Sequence, residues 1–124
     1  FVDYGYDATL SDMLEIVELV RAHCHPEMRF IVTVSPVPLG ATFKDADVIV
    51  ANSASKSVLR AVAEELFRRF DFVDYFPSYE LVLNSPRGLA FEDDQLHVAR
   101  EMVAAVMSRF EAAYLQGARQ SQAA

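Results

Sequence analysis

"RFIVTVS", residues 29–35, is the stretch on which the fold turns. Phe30, Ile31, Val32 and Val34 make it apolar on both faces rather than at alternate positions. A strand with one wet face alternates, whereas a strand inside a parallel sheet reads as a near-continuous β-branched run. A short buried strand in a parallel sheet is therefore expected here. "SPVPLGA", 35–41, ends it with two prolines and a glycine.

The flanks supply helices for such a sheet. Upstream, Leu10, Met13, Leu14, Val17 and Val20 recur at helical spacing, which predicts a helix over 9–24 with Thr9 as its N-cap and Asp12 three residues on. Downstream, "DVIVAN", 47–52, reads either as a second short strand or as the lead-in to a helix. Val58, Leu59, Val62, Ala63, Leu66, Phe67 and Phe70 then form one stripe, with Glu64, Glu65, Arg68 and Arg69 off it. That predicts a helix over 54–69 capped by Ser53 or Ser55. "FVDYF", 72–76, reads as another strand, residues 77–96 mainly as loop, and 97–116 as a third helix. "GARQSQAA", 117–124, is a polar tail. The order helix, strand, helix, strand, helix points to an α/β sandwich with a mostly parallel sheet.

The chain has 124 residues, enough for one domain or part of one. It is 52% hydrophobic with nine Phe and five Tyr, which suits a packed core. Its net charge of −7 repels phosphate backbones and argues against nucleic acid as a partner. No apolar run approaches the ~20 residues that span a bilayer. The single cysteine, Cys24, excludes an internal disulfide framework and suits a reducing compartment. The opening "FVDYGYDATLS" has no initiator Met, and three or fewer strands make a small sheet. Both lead to the expectation that the chain is part of a larger domain.

Asp94 and His97, in "FEDDQLHVAR" (91–100), form the first candidate site. Three apart in a first helical turn, they can share a face. An Asp that accepts from one imidazole nitrogen leaves the other free to take a proton from a nucleophile. The same Asp is also favoured at a helix start by the dipole alone. "HCH", 23–25, gathers two His and a Cys, but no partner cluster elsewhere completes a metal site, and His suits a helix C-terminus. Ser35 lies at the carboxyl end of the first strand, in a pocket wall or a rigid turn. Asn52 and Ser53, with Ser55, Lys56 and Ser57, stand at a predicted helix start, able to hold an oxyanion or simply to cap, with Lys56 solvated. Tyr79, in "YFPSYE" (75–80), belongs to a substrate wall or to a capped core.

Four ordered stretches, "TVSPVPLGAT" (33–42), "ANSASKSVLRA" (51–61), "VDYFPSYELV" (73–82) and "FEDDQLHV" (91–98), together resemble the carboxyl-terminal part of the GSCFA family. That family is named for a Gly-Ser-Cys-Phe-Ala segment and is grouped with the SGNH or GDSL-type hydrolases. The resemblance covers about residues 30–110. It implies a three-layer α/β/α sandwich, here an incomplete domain. It implies a serine-dependent esterase or acyl transferase, with Asp94 and His97 as acid and base of a triad. It implies a small acyl-ester substrate, carbohydrate- or lipid-linked, and no metal or organic cofactor.

The chain contains no Gly-Ser-Cys-Phe-Ala segment, and none of Ser35, Ser53 or Ser78 matches it. The nucleophile is therefore expected upstream of this chain, and the chain by itself is expected to be inactive. The missing segment, or self-association, is expected to cover an exposed sheet edge. A non-catalytic α/β binding or assembly module is the alternative reading.

Overall fold

The computed structural model describes residues 3–115, which fall into two compact units. Unit 1 comprises residues 3–34 and 39–76; unit 2 comprises 35–38 and 77–115. The tail at 117–124 lies outside the described residues.

Unit 1 is built as α1 (Tyr6–His23), β1 (Phe30–Val32), α2 (Val48–Arg69) and β2 (Val73–Tyr75). β1 and β2 pair in parallel, with Phe30 opposite Val73, Ile31 opposite Asp74 and Val32 opposite Tyr75. The first strand, α2 and the second strand thus form a parallel crossover unit, as the two-faced apolar run anticipated. The sheet of the described residues has two strands, and β1 is half-buried along its length. Phe30 N–H donates to Phe72 O, Phe76 N–H to Val32 O, and the Thr33 hydroxyl to Phe76 O, so pairing runs past both strand ends.

The core of unit 1 is one cluster. Val17 from α1, Val62 and Leu66 from α2 and Val73 from β2 are buried, with Phe30, Val32, Phe70 and Phe72 packed against them. Val17, Val62, Leu66 and Phe70 are residues of the predicted helical stripes. The period of 3.6 placed them on one side of each helix, and burial of that side supplies most of a helix's stability in water.

Helix starts differ from expectation. α1 begins at Tyr6 with Gly5 as N-cap; Thr9 lies inside, its hydroxyl donating to Gly5 O at 2.9 Å. Of the two readings of "DVIVAN", the structure shows the helix lead-in. Asp47 caps α2, its carboxylate accepting from Ile49 N at 2.8 Å. Ser53 and Ser57 sit within the helix and return their hydroxyl hydrogens to Ile49 O and Ser53 O. An Asp cap satisfies a free N–H and meets the positive helix end with a charge, so it outcompetes a serine six residues later. Asp47→Ala is expected to cost about 1 kcal/mol of stability in urea denaturation, with no change in the dependence on denaturant.

Unit 2 contains α3 (Ser78–Leu83), α4 (Arg87–Ala90) and α5 (Arg100–Tyr114). The segment 77–96, expected mainly as loop, therefore holds two short helices, each following a proline at its cap. Val82, Ala90 and Phe91 are buried against Val98, Met102 and Val106. No helix of the described residues is long and apolar enough to cross a membrane.

Candidate functional site

Between α4 and α5 the chain makes a hydrogen-bonded loop. Phe91 and Val98 form an antiparallel bridge, Glu92 N–H donates to His97 O at 2.8 Å, and Ala99 N–H donates to Ala90 O at 2.9 Å. His97 thus precedes α5, which starts at Arg100, instead of lying in a first helical turn. The cause is Asp94. Its Oδ1 accepts from both Leu96 N (2.9 Å) and His97 N (3.0 Å), a side-chain turn that competes with helical hydrogen bonding. Asp94 Oδ2 is 2.5 Å from His97 Nδ1. The spacing of three does bring the two side chains together, through a turn.

The loop is held from the side by α4. Gln95 adopts φ 59°, uncommon outside glycine, and its side chain and carbonyl are both occupied. Arg87 donates through Nε to Gln95 Oε1 (2.8 Å) and through Nη2 to Gln95 O (3.2 Å), while Gln95 Nε2 donates to Glu92 O (3.1 Å). The same guanidinium lies over the Phe91 ring, 4.8 Å from its centroid, and Phe91 is buried. A chain of contacts therefore runs from the buried Phe91 through Arg87 to the turn that carries Asp94 and His97. Sequence reading missed Arg87 and Gln95. A polar residue in a tight acidic turn was the one visible signal for Gln95; Arg87 had none, because its role depends on a bend eight residues long.

The electrostatics follow from the geometry. The hydrogen bond from His97, with the two backbone N–H groups, lowers the Asp94 carboxyl to about 2. The hydrogen bond to Asp94, and then its charge, raises the His97 imidazole above 6.5. The His97 side chain is 76% exposed and that of Asp94 46%, so the ring is open to an approaching group. For stability, the raised His97 contributes below pH 6.5 and loses that contribution as pH rises through its folded value. The lowered Asp94 contributes above 3.8 and loses it as pH falls through about 2. The pair is open to water, so its effect on stability is small. An NMR titration is expected to find the His97 imidazole above 6.5 and Asp94→Asn to bring it back towards 6.5. A wild-type value at or below 6.5 would contradict the paired geometry.

The remaining candidates are engaged locally. In unit 2, Ser35 Oγ accepts from Val37 N (3.3 Å), and Tyr79 is half-buried in the first turn of α3. In unit 1, Asn52 Oδ1 accepts from Leu39 N (3.0 Å), tying the 39–46 loop to α2, and Ser53 is turned back on its own helix. Lys56, read either as part of an oxyanion site or as solvated, is buried in α2, and burial pulls its ammonium below 10.5. In "HCH", His23 Nδ1 meets Leu19 O at 2.8 Å and Cys24 is the exposed C-cap of α1. Among the described residues no three His, Cys, Asp or Glu side chains converge to hold a metal ion.

No curated protein and no solved structure matches this chain. A model of the GSCFA family matches residues 1–110, a span that takes in both strands, the Asp94–His97 turn and most of α5. The chain belongs to the GSCFA family.

Proposed function

We propose that this chain is the carboxyl-terminal part of a serine-dependent, SGNH-like ester hydrolase or acyl transferase. The observation that carries the reading is the 2.5 Å contact between Asp94 Oδ2 and His97 Nδ1 on an exposed turn. In the proposed reaction Asp94 holds the Nδ1–H tautomer, so that Nε2 is a free base. Nε2 takes the proton from a serine hydroxyl as the serine oxygen attacks the ester carbonyl. It then gives that proton to the leaving alcohol as the acyl-enzyme forms. Water or an acceptor hydroxyl discharges the acyl group by the same steps in reverse. The serine belongs to a Gly-Ser-Cys-Phe-Ala segment upstream of Phe1. Ser35 and Tyr79, which belong to the same unit as Asp94 and His97, are the proposed substrate contacts, and the substrate is a small acyl ester, carbohydrate- or lipid-linked. The accompanying fold is a three-layer α/β/α sandwich, supported by the parallel pair and its crossover helix.

The test is a fluorophosphonate probe on the full-length protein. Labelling of one serine, lost when His97 is Ala, is the expected result. Labelling that ignores His97, or none at all, would count against the triad.

A second reading, a non-catalytic assembly module, draws on exposed apolar side chains in unit 1. Phe43 is 88%, Ile49 72% and Val50 63% exposed. An active serine in the full-length protein would sink it.

A further inference from the structure

A second group of ionisable side chains lies in unit 1, and none of it belongs to the Asp94–His97 turn. The last turns of α1 and α2, with the loops that follow them, enclose a half-open cavity of about 480 Å³. That volume is in the range that holds small organic ligands. Its wall carries Arg21, His25 and Arg69 against one carboxylate, Asp71. In a chain of net charge −7 this is a local reversal of sign.

The wall is rich in donors and poor in acceptors. The carbonyls of His25, Phe70, Asp71 and Phe72 already accept from Met28 N, Val73 N, Arg29 Nη1 and Phe30 N. His25 Nδ1 accepts from Glu27 N at 3.2 Å, so the neutral ring carries its proton on Nε2 and offers a donor there. Arg21 lies over the Phe72 ring, 5.7 Å from its centroid, and makes no ion pair among the described residues. The nearest partner of Arg69 is Glu65 at 3.6 Å, too long for a hydrogen bond.

Helix C-termini attract cations, and that accounts for two arginines at these positions. It does not account for the apolar part of the wall. Pro26 and Met28 line it, with Phe70 and Phe72 set edge to face at 5.8 Å. Guanidinium groups bind carboxylate and phosphate through paired N–H bonds, and aromatic faces take hydrocarbon.

We propose that this cavity binds a small soluble organic anion, a carboxylate or phosphate head joined to a short apolar body. Arg21, Arg69 and His25 Nε2–H hold the head, and Met28, Phe70 and Phe72 hold the body. This is independent of the esterase reading and survives its failure.

The experiment is an amide NMR titration of the full chain with hexanoate, hexyl phosphate, inorganic phosphate and hexanol. Saturable shifts centred on residues 21–28 and 69–72 are expected with hexanoate or hexyl phosphate, with a midpoint of about 1 mM or tighter. Hexanol and inorganic phosphate are each expected to bind at least roughly tenfold more weakly, since each lacks one half of the ligand. Arg21→Gln and Arg69→Gln are each expected to weaken binding by roughly tenfold without moving the melting temperature. Hexanol binding as tightly as hexanoate would overturn the anionic head, and inorganic phosphate matching hexyl phosphate would overturn the apolar body. Unchanged affinity in the Arg21→Gln, Arg69→Gln double variant, or binding only to anionic vesicles, would overturn the site.

Discussion

Replacing His97 with Ala is expected to lower kcat/KM for ester hydrolysis by the full-length protein by roughly 10⁴-fold or more. The same change should leave stability within about 0.5 kcal/mol, because the side chain is 76% exposed and touches no core residue cluster. The contrast is the informative part. A residue that only shapes the loop would move the melting curve and spare the chemistry. Asp94→Asn should cost roughly 10³- to 10⁴-fold by losing the tautomer that frees Nε2. The pH profile carries a further sign. Only the neutral imidazole can take a proton, and Asp94 raises its pKa above 6.5. Activity should therefore climb with pH through a midpoint above 6.5, and in Asp94→Asn the residual activity should climb at lower pH. Hydrolysis unaffected by His97→Ala would remove the triad reading.

Leu66→Ala is expected to destabilise the chain by about 2–5 kcal/mol. Leu66 is fully buried and belongs to the cluster of Val17, Val62 and Val73, which joins both helices of unit 1 to its sheet. Truncation removes three carbons from water-free surroundings and leaves a void that neighbours on three elements close incompletely. Against a total stability of roughly 5–15 kcal/mol this is a large share, and Tm should fall by about 10 °C or more. Leu59→Ala, two turns earlier in the helix on a surface position, should cost below about 1 kcal/mol. Equal losses in the two variants would mean that the core of unit 1 is not centred on Leu66.

The three long helices and both strands were legible because their signals are local. Apolar residues at helical spacing mark α1, α2 and α5, a β-branched run marks β1, and the aromatic stretch "FVDYF" marks β2. What escaped was short or depended on partners. α3 and α4 have six and four residues, too few for a period to show, and follow prolines that read as breaks. The start of α2 escaped because "VIVAN" suits a strand equally well, and the cap at Asp47 decided for helix. Of the candidate site, the pairing of Asp94 with His97 was legible from spacing, but not the turn that carries it, nor the clamp from Arg87.

The sequence by itself determined the order of the three long helices and two strands, the parallel sheet, the buried stripe around Leu66 and the family. The elements are written in residue spacing and apolar pattern, and the family in the resemblance of four ordered stretches. Only the tertiary structure decided that His97 stands on a turn ahead of α5, and that Arg21, His25 and Arg69 surround one cavity. Those arrangements depend on groups distant along the chain, such as Arg87 with Gln95, or Arg21 with Phe72, and no local pattern records which distant groups come together.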